Sequence, residues 1–417
     1  MAPQTSIWKK EIRLRRRPAP AALQVVPEAA PEPAAPADGT SWWKKEVSLA
    51  PVRLGRPALP VRSPRVAKPG REATRIVGLR IGSSQLAAAL VDNGGSAELL
   101  RVARTPLERG IVAGGEVRDA GALADALKRF FRQQRLPRRG VRLGVATNRI
   151  GVRVLEVPAI DDERQLANAV RFRAQDVVPI PITDAVLDHV VLGEADTPGE
   201  RTLRVLIVFA HRELVDGYVE ACKQAGIGLA GIDFDAFALL RALRGDPAAE
   251  PAAAALVAVA IGHERTIFAV SEGAVCDFAR VLDWGGAALD AAIARALDVD
   301  LAEAEAIKRE LSLATEASSV AAEAARTAVR QELQVLAREL LSSLQFYQSR
   351  PGSLAIGEVL LAGGAAQLEG LDAELRRQLG VPVRLGDPFG RVELGKGVEP
   401  PADAGSLAIA VGLALEV

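Results

Sequence analysis

The residues of this chain with the types and spacing to hold a ligand sit in glycine turns. Ile76–Val91 runs apolar, breaks at Gly82-Ser83-Ser84, runs apolar again and meets the acidic turn Asp92-Asn93-Gly94-Gly95. The pattern predicts a strand, a tight turn and a second strand. Glycine lets backbone N–H groups approach a ligand closely, and the Ser83 and Ser84 hydroxyls add donors, so the turn can cradle phosphate. An ordinary β-hairpin has the same pattern, and this stretch alone favours that plainer reading. Ala255–Val270 repeats the design, with Gly262 at its turn. A third glycine site, Gly363-Gly364, follows the apolar run Val359–Ala362 and leads into a helix start. His189, His211 and His263 are scattered, and Cys222 and Cys276 lie in separate segments without a CxxC spacing. No metal site is therefore expected from these residue types, and the cysteines point to a reducing compartment.

The elements that must position these turns come in a clear order. Leu99–Thr105 reads as a third strand, Ala120–Gln134 as an amphipathic helix with Leu123, Leu127, Phe130 and Phe131 on its apolar face, and Val141–Ala146 as a strand. From Gly151 the pattern changes. Val152–Pro158 is a strand, and Asp161 or Asp162 can cap a helix running to about Gln175. The run Val177-Val178-Pro179-Ile180-Pro181 comes next, then strands Ala185–Leu192 and Thr202–His211 and a helix Arg212–Ala225. Further on, Leu301–Leu311, Ala321–Gln348 and Gly405–Leu415 read as helices and Asp387–Glu399 as loop.

Charge and composition divide the chain. Of 52 basic and 52 acidic residues, residues 1–74 hold 14 and 6, a net of +8; the rest hold 38 and 46, a net of −8. The first 74 residues also carry 12 of the 25 prolines and no sustained period of 2 or 3.6, so they are expected to be disordered. Yet this tail repeats a motif, Ser6-Ile-Trp-Lys-Lys-Glu-Ile-Arg-Leu14 and Ser41-Trp-Trp-Lys-Lys-Glu-Val-Ser-Leu49. Trp8, Ile12 and Leu14, and again Trp43, Val47 and Leu49, share one face of an extended strand and are suited to docking on a partner. Contact with anionic lipid through the lysines is the competing reading. No nucleic-acid partner is expected. The longest apolar run, Ala252–Gly262, is too short to span a bilayer, which needs about 20 residues, and no signal peptide is read.

Two hairpins of one design followed by a strand, a glycine pair and a helix resemble the actin/Hsp70/sugar-kinase ATPase fold. The order is similar to the FtsA family of cell-division proteins and, nearer still, to the PilM family of type IV pilus assembly proteins, over about Arg75–Val417. Pro106–Val117 resembles the family's Pro-Leu-x-x-Gly loop. Arg171-Phe-Arg-Ala-Gln-Asp-Val-Val-Pro-Ile-Pro181 resembles its run from a helix end into Ile-Pro-x-Pro, and Gly231–Leu243 the helix that closes the first half of the molecule. The resemblance implies an α/β actin-like fold, duplicated and ribonuclease-H-like: a first half at 75–254 with a small inserted α+β subdomain at 151–211, and a second half at 255–417 whose last helix packs on the first. FtsA-like proteins would carry a membrane helix after the fold. The end at Val417 therefore favours the PilM-like expectation.

The resemblance also implies a nucleotide site built on Gly82, Ser83, Ser84, Gly262, Gly363 and Gly364. There the chain departs from the family. Each hairpin of PilM-like proteins reads Asp-Ile-Gly, and here the two read Arg80-Ile81-Gly82 and Ala260-Ile261-Gly262. Magnesium needs hard oxygen ligands, so no magnesium-dependent hydrolysis is expected, ATP binding without hydrolysis stays open and magnesium is doubtful. An ATPase with rearranged metal ligands is the alternative. Arg80 can pair with a phosphate or be a salt-bridged cleft arginine, and the second is favoured. By resemblance the partner is the cytoplasmic N-terminal peptide of a PilN-like inner-membrane protein. The peptide would be taken in a groove around 151–211, to which Val177, Val178, Pro179, Ile180 and Pro181 are assigned. The expected setting is the cytoplasmic face of the inner membrane, among other pilus assembly components and with room for an oligomer.

Overall fold

The computed structural model describes residues 74–195, 201–244, 254–273, 275–350 and 352–416. The tail motif, including Trp8, Ile12, Leu14, Trp43, Val47 and Leu49, lies outside them. The chain divides into two compact units, and all of its described strands and helices belong to the second, residues 69–417.

The chain opens with strands β1 (Arg75–Ile81), β2 (Gln85–Asp92) and β3 (Glu98–Pro106), the short pair β4 (Val112–Ala113) and β5 (Glu116–Val117), helix α1 (Ala120–Gln133) and β6 (Val141–Val145). An inserted unit follows: β7 (Ile150–Pro158), α2 (Glu163–Ala174), β8 (Ala185–Ala195) and β9 (Thr202–His211). Next come α3 (Arg212–Gln224), β10 (Leu229–Phe234) and α4 (Asp235–Leu243). The second half holds β11 (Ala255–Ile261), β12 (Thr266–Glu272), β13 (Val275–Leu282), α5 (Gly286–Leu297), α6 (Leu301–Glu310), α7 (Val320–Gln348), β14 (Ile356–Ala362), α8 (Leu371–Leu379), β15 (Val383–Leu385), β16 (Glu393–Leu394) and α9 (Ala408–Ala414). Side chains close several helix starts: Asp119 accepts from the Ala122 N–H, Asp162 from Gln165, and Ser319 from Ala322.

The two large sheets share one strand order when the second is read in reverse, and the first adds β16 at its edge. One runs β10-β6-β1-β2-β3-β16, the other β13-β12-β11-β14-β15. In each, an antiparallel hairpin lies beside a parallel strand, with Ile81 opposite Leu86 in the first and Ile261 opposite Thr266 in the second. Both turns close alike: Gly82 N–H donates to the Gln85 carbonyl and Gly262 N–H to that of Arg265, each at 2.9 Å. This is the duplicated α/β architecture of the actin-like ATPase fold. Two helices fill the space between the sheets. α9 packs on β1 and β2, α4 packs on β12, and the two pack on each other. A Cβ on Gly78 would stand 2.0 Å from the Ala410 carbonyl oxygen, and one on Gly412 1.8 Å from that of Ala238.

The inserted unit is a separate antiparallel sheet, β7-β9-β8. α2 covers one face, burying Leu166, Val170 and Ala174 against Val157, Val205, Ile207 and Phe209. Among the described residues no helix is long and apolar enough to cross a membrane. Two readings need correction. Gly231–Leu243 is not one helix: Leu229–Phe234 is a strand paired parallel with β6, and the helix begins only at Asp235. Tertiary pairing with β6 overrides the local helical pattern there. Asp387–Glu399 is loop except for β16, which adds to the edge of the first sheet.

Gly412→Ala should lower the melting temperature by about 5 °C or more, because an overpacked core costs about 1–3 kcal/mol or more and the clashing atom is backbone. Gly95→Ala, with nothing within 4 Å of the added carbon, should leave it unchanged; thermal denaturation of both variants checks this.

Candidate functional site

The hairpin turns, the end of β14 and the starts of α4 and α5 surround a cleft of about 530 Å³. Gly82, Ser83, Ser84, Gly262 and Gly364 line it. Gly363 stands behind the wall: its φ is 91°, and a Cβ would lie 2.3 Å from the Ile261 carbonyl oxygen. That position needs glycine for close backbone approach, whereas Gly364 has no atom within 4 Å of an added Cβ.

Several glycine N–H groups around the cleft are consumed by the fold itself. Gly82 and Gly262 N–H groups close their own turns. Gly363 N–H donates to Gly405, Gly286 N–H to Gly262 and Ala287 N–H to His263. The two hairpin glycines are turn-formers first. Facing the cleft are residues that include Ser83 and Ser84 with their hydroxyls and a set of cations.

Arg80, at the end of β1, reaches into the centre. Its Nε donates to Asp235 Oδ2 at 3.4 Å, so it is a salt-bridged cleft arginine. Asp235 is the first residue of α4 and only 3% exposed. Its Oδ1 finds no hydrogen-bond partner and lies 2.1 Å from where a Cβ on Gly144 would stand. Burial pushes the Asp235 carboxyl up to about 6, Arg80 pulls it partly back, and Asp233 adds to the rise. Asp235 thus supplies a cleft carboxylate that sequence reading missed; the misread strand β10 hid its place at the strand-to-helix junction.

The other cations are tightly held. Lys308 Nζ lies 2.6 Å from Asp290 Oδ1, Arg265 Nη1 2.8 Å from Asp283, and Arg309 Nη2 2.6 Å from Glu305. Glu305 also meets Arg109 from the first half at 2.9 Å, and Gly114 N–H donates to Glu264 Oε2 at 2.8 Å. These last two contacts bridge the cleft mouth. His263 also lines the cleft, and burial lowers its pKa.

A second concavity, about 580 Å³, lies between the inner face of the inserted sheet and the first half. Val190, Leu192, Leu206 and Val208 line one side, and Ile232 and Phe237 the other. β8 is an edge strand here, with a bulge between Val191 and Gly193. The run Val177–Pro181 is elsewhere. Val178, 7% exposed, belongs to the core under α2 and is no groove residue. Pro179 and Ile180 line a different cleft, facing β13 and α7, while Val177 and Pro181 are exposed and line neither cavity. The alternation of this run could not show which side of the inserted sheet it would serve.

The family model of the type IV pilus assembly protein PilM matches residues 78–417. The chain is similar to the solved "PilM-PilN type IV pilus biogenesis complex", with 28% identity and a TM-score of 0.71 over 82% of this chain and 98% of that one. It shares its fold with the ethanolamine utilization protein EutJ of Carboxydothermus hydrogenoformans, at 16% identity and a TM-score of 0.50 over 82% and 89% of the two chains.

Arg80→Gln should destabilise the protein by about 2–4 kcal/mol at pH 8, because it leaves Asp235 buried without its cation. A carboxyl raised in the folded state contributes stability below its unfolded value, near 3.8, and loses it as pH rises through the folded value, near 6. Removing Arg80 raises the folded value further. The deficit should therefore be small at pH 5 and grow towards pH 8, as denaturant melts at the two pH values will register.

Proposed function

The chain belongs to the PilM family of type IV pilus assembly proteins, and from that premise we propose that it is a scaffold that captures an extended peptide in its apolar groove. The peptide is the cytoplasmic N-terminal segment of a PilN-like membrane protein. Holding it brings the chain to the cytoplasmic face of the inner membrane. The observation that carries the reading is the groove itself: an apolar trough beside the unpaired edge of β8. Extended peptides bind such edges by main-chain hydrogen bonds, with alternate side chains seated in the trough. Val190 stands 60% exposed at its rim, so it offers apolar surface at no cost to the fold. The tail motif is proposed to dock other components of the same assembly.

A working ATPase is the second reading, and Asp235 is the observation in its favour. Its carboxylate is committed to Arg80 rather than free for a metal. No magnesium-dependent turnover is expected, as phosphate release with and without Mg²⁺ will test. Turnover abolished by Gly364→Trp, which would fill the open side of the cleft, would overturn this.

Val190→Asp should weaken binding of the partner's N-terminal peptide tenfold or more, since loss of one buried valine contact is worth about 1.5 kcal/mol or more. Phe172→Asp, on the opposite, solvent-facing side of α2 (68% exposed), should not. Fluorescence anisotropy with a labelled peptide measures both, and equal binding by Val190→Asp and the wild type contradicts the groove assignment.

A further inference from the structure

We infer that the guanidinium of Arg80 stands where a metal-dependent site would hold its divalent cation, and that the cleft binds a polyphosphate free of metal. The inference is independent of the peptide groove.

The fold family implies magnesium, and the residues present do not fit it. Among the described residues no group of three or more His, Cys, Asp or Glu is placed to hold a metal ion. The cleft carboxylates are each engaged: Asp235 with Arg80, Glu264 with the Gly114 N–H, Glu305 between Arg109 and Arg309, and Asp403 with Arg104. A divalent cation at the hairpins would meet the positive charge of Arg80 head-on.

Arg80 itself is only partly used. Its Nε donates to Asp235, and its Nη groups donate to no described residue. Nη2 lies 3.4 Å from where a Cβ on Gly262 would stand, so the fork sits between the two hairpin turns. Both turns have spent their glycine N–H groups, and the fork adds a pair of donors at that point. Two parallel N–H bonds from a guanidinium match the oxygens of a phosphate. At 3.4 Å the Arg80–Asp235 contact is looser than the Lys308–Asp290 and Arg265–Asp283 pairs at 2.6 and 2.8 Å. An anion can therefore share Arg80 without first breaking a tight pair. Ser83 and Ser84 supply hydroxyls on the same wall, and Ile81, Val112 and Ala365 give apolar lining against which a base can rest.

The test is calorimetric titration of the full chain with ATP and with inorganic tripolyphosphate, each in EDTA and in excess Mg²⁺. ATP is expected to bind in EDTA at least threefold more tightly than in Mg²⁺, because the metal would occupy the oxygens that Arg80 contacts. Arg80→Gln should weaken binding at least tenfold and Arg80→Lys less. Equal binding of tripolyphosphate identifies the phosphate chain as the ligand, and binding of ATP alone adds the nucleoside to it. Both keep Arg80 in the role of the cation. A tenfold loss of ATP affinity in EDTA, no binding of either ligand, or unchanged binding by Arg80→Gln overturns the inference. The EDTA comparison is made on the unaltered chain, so it decides even if the variants fold poorly.

Discussion

α9 approaches β1 and α4 so closely that only glycine fits at two of the contact positions. Gly78 and Gly412 let helix backbones come where a single methyl group would collide with carbonyl oxygens. This packing seats α4 and α9 between the sheets, in two apolar clusters rich in alanine. Small residues are a requirement here, because any larger side chain would separate the sheets and widen the cleft. The start of α4 is thereby fixed against β6, and Gly144 must lack a side chain for the same reason: Asp235 occupies its space.

Fixing α4 sets the electrostatics of the cleft. Asp235 is carried into a buried position that costs its charge dearly, and Arg80 is the group within reach that offsets the cost. The remaining carboxylates of the cleft are neutralised by cations or by backbone donors. This arrangement underlies the proposal that the cleft takes an anion that can borrow an arginine. The inserted sheet, meanwhile, turns its α2-covered face outward and its bare face towards β10 and α4. The groove exists because that inner face has no helix of its own.

Much of the fold was legible because hydrophobic periodicity and glycine turns are local signals. The two hairpins, the Asp162 cap and the edges of β9 at Thr202 and His211 are all written in short stretches of sequence. The glycine turns pointed to the cleft, and five of the six residues assigned to it line it. What was not legible depends on pairing at a distance. β10 is a strand only because β6 lies beside it, and Gly231-Ile232-Asp233-Phe234 is too short to show its period. Asp235 went unseen with it, since its partner Arg80 is 155 residues away in the chain. Val178 looked like groove surface, yet its side chain is needed to finish the core beneath α2.

Hydrogen exchange across the whole chain, with and without the proposed PilN-like N-terminal peptide, decides whether the groove beside β8 takes that peptide. Edge-strand amides that gain main-chain partners exchange more slowly. Peptide is predicted to slow exchange along β8, at 186–192, and at the start of α4, while leaving α2 and the run 177–181 unchanged. Protection confined to α2 and 177–181, with β8 exchanging as in the free chain, would contradict the account.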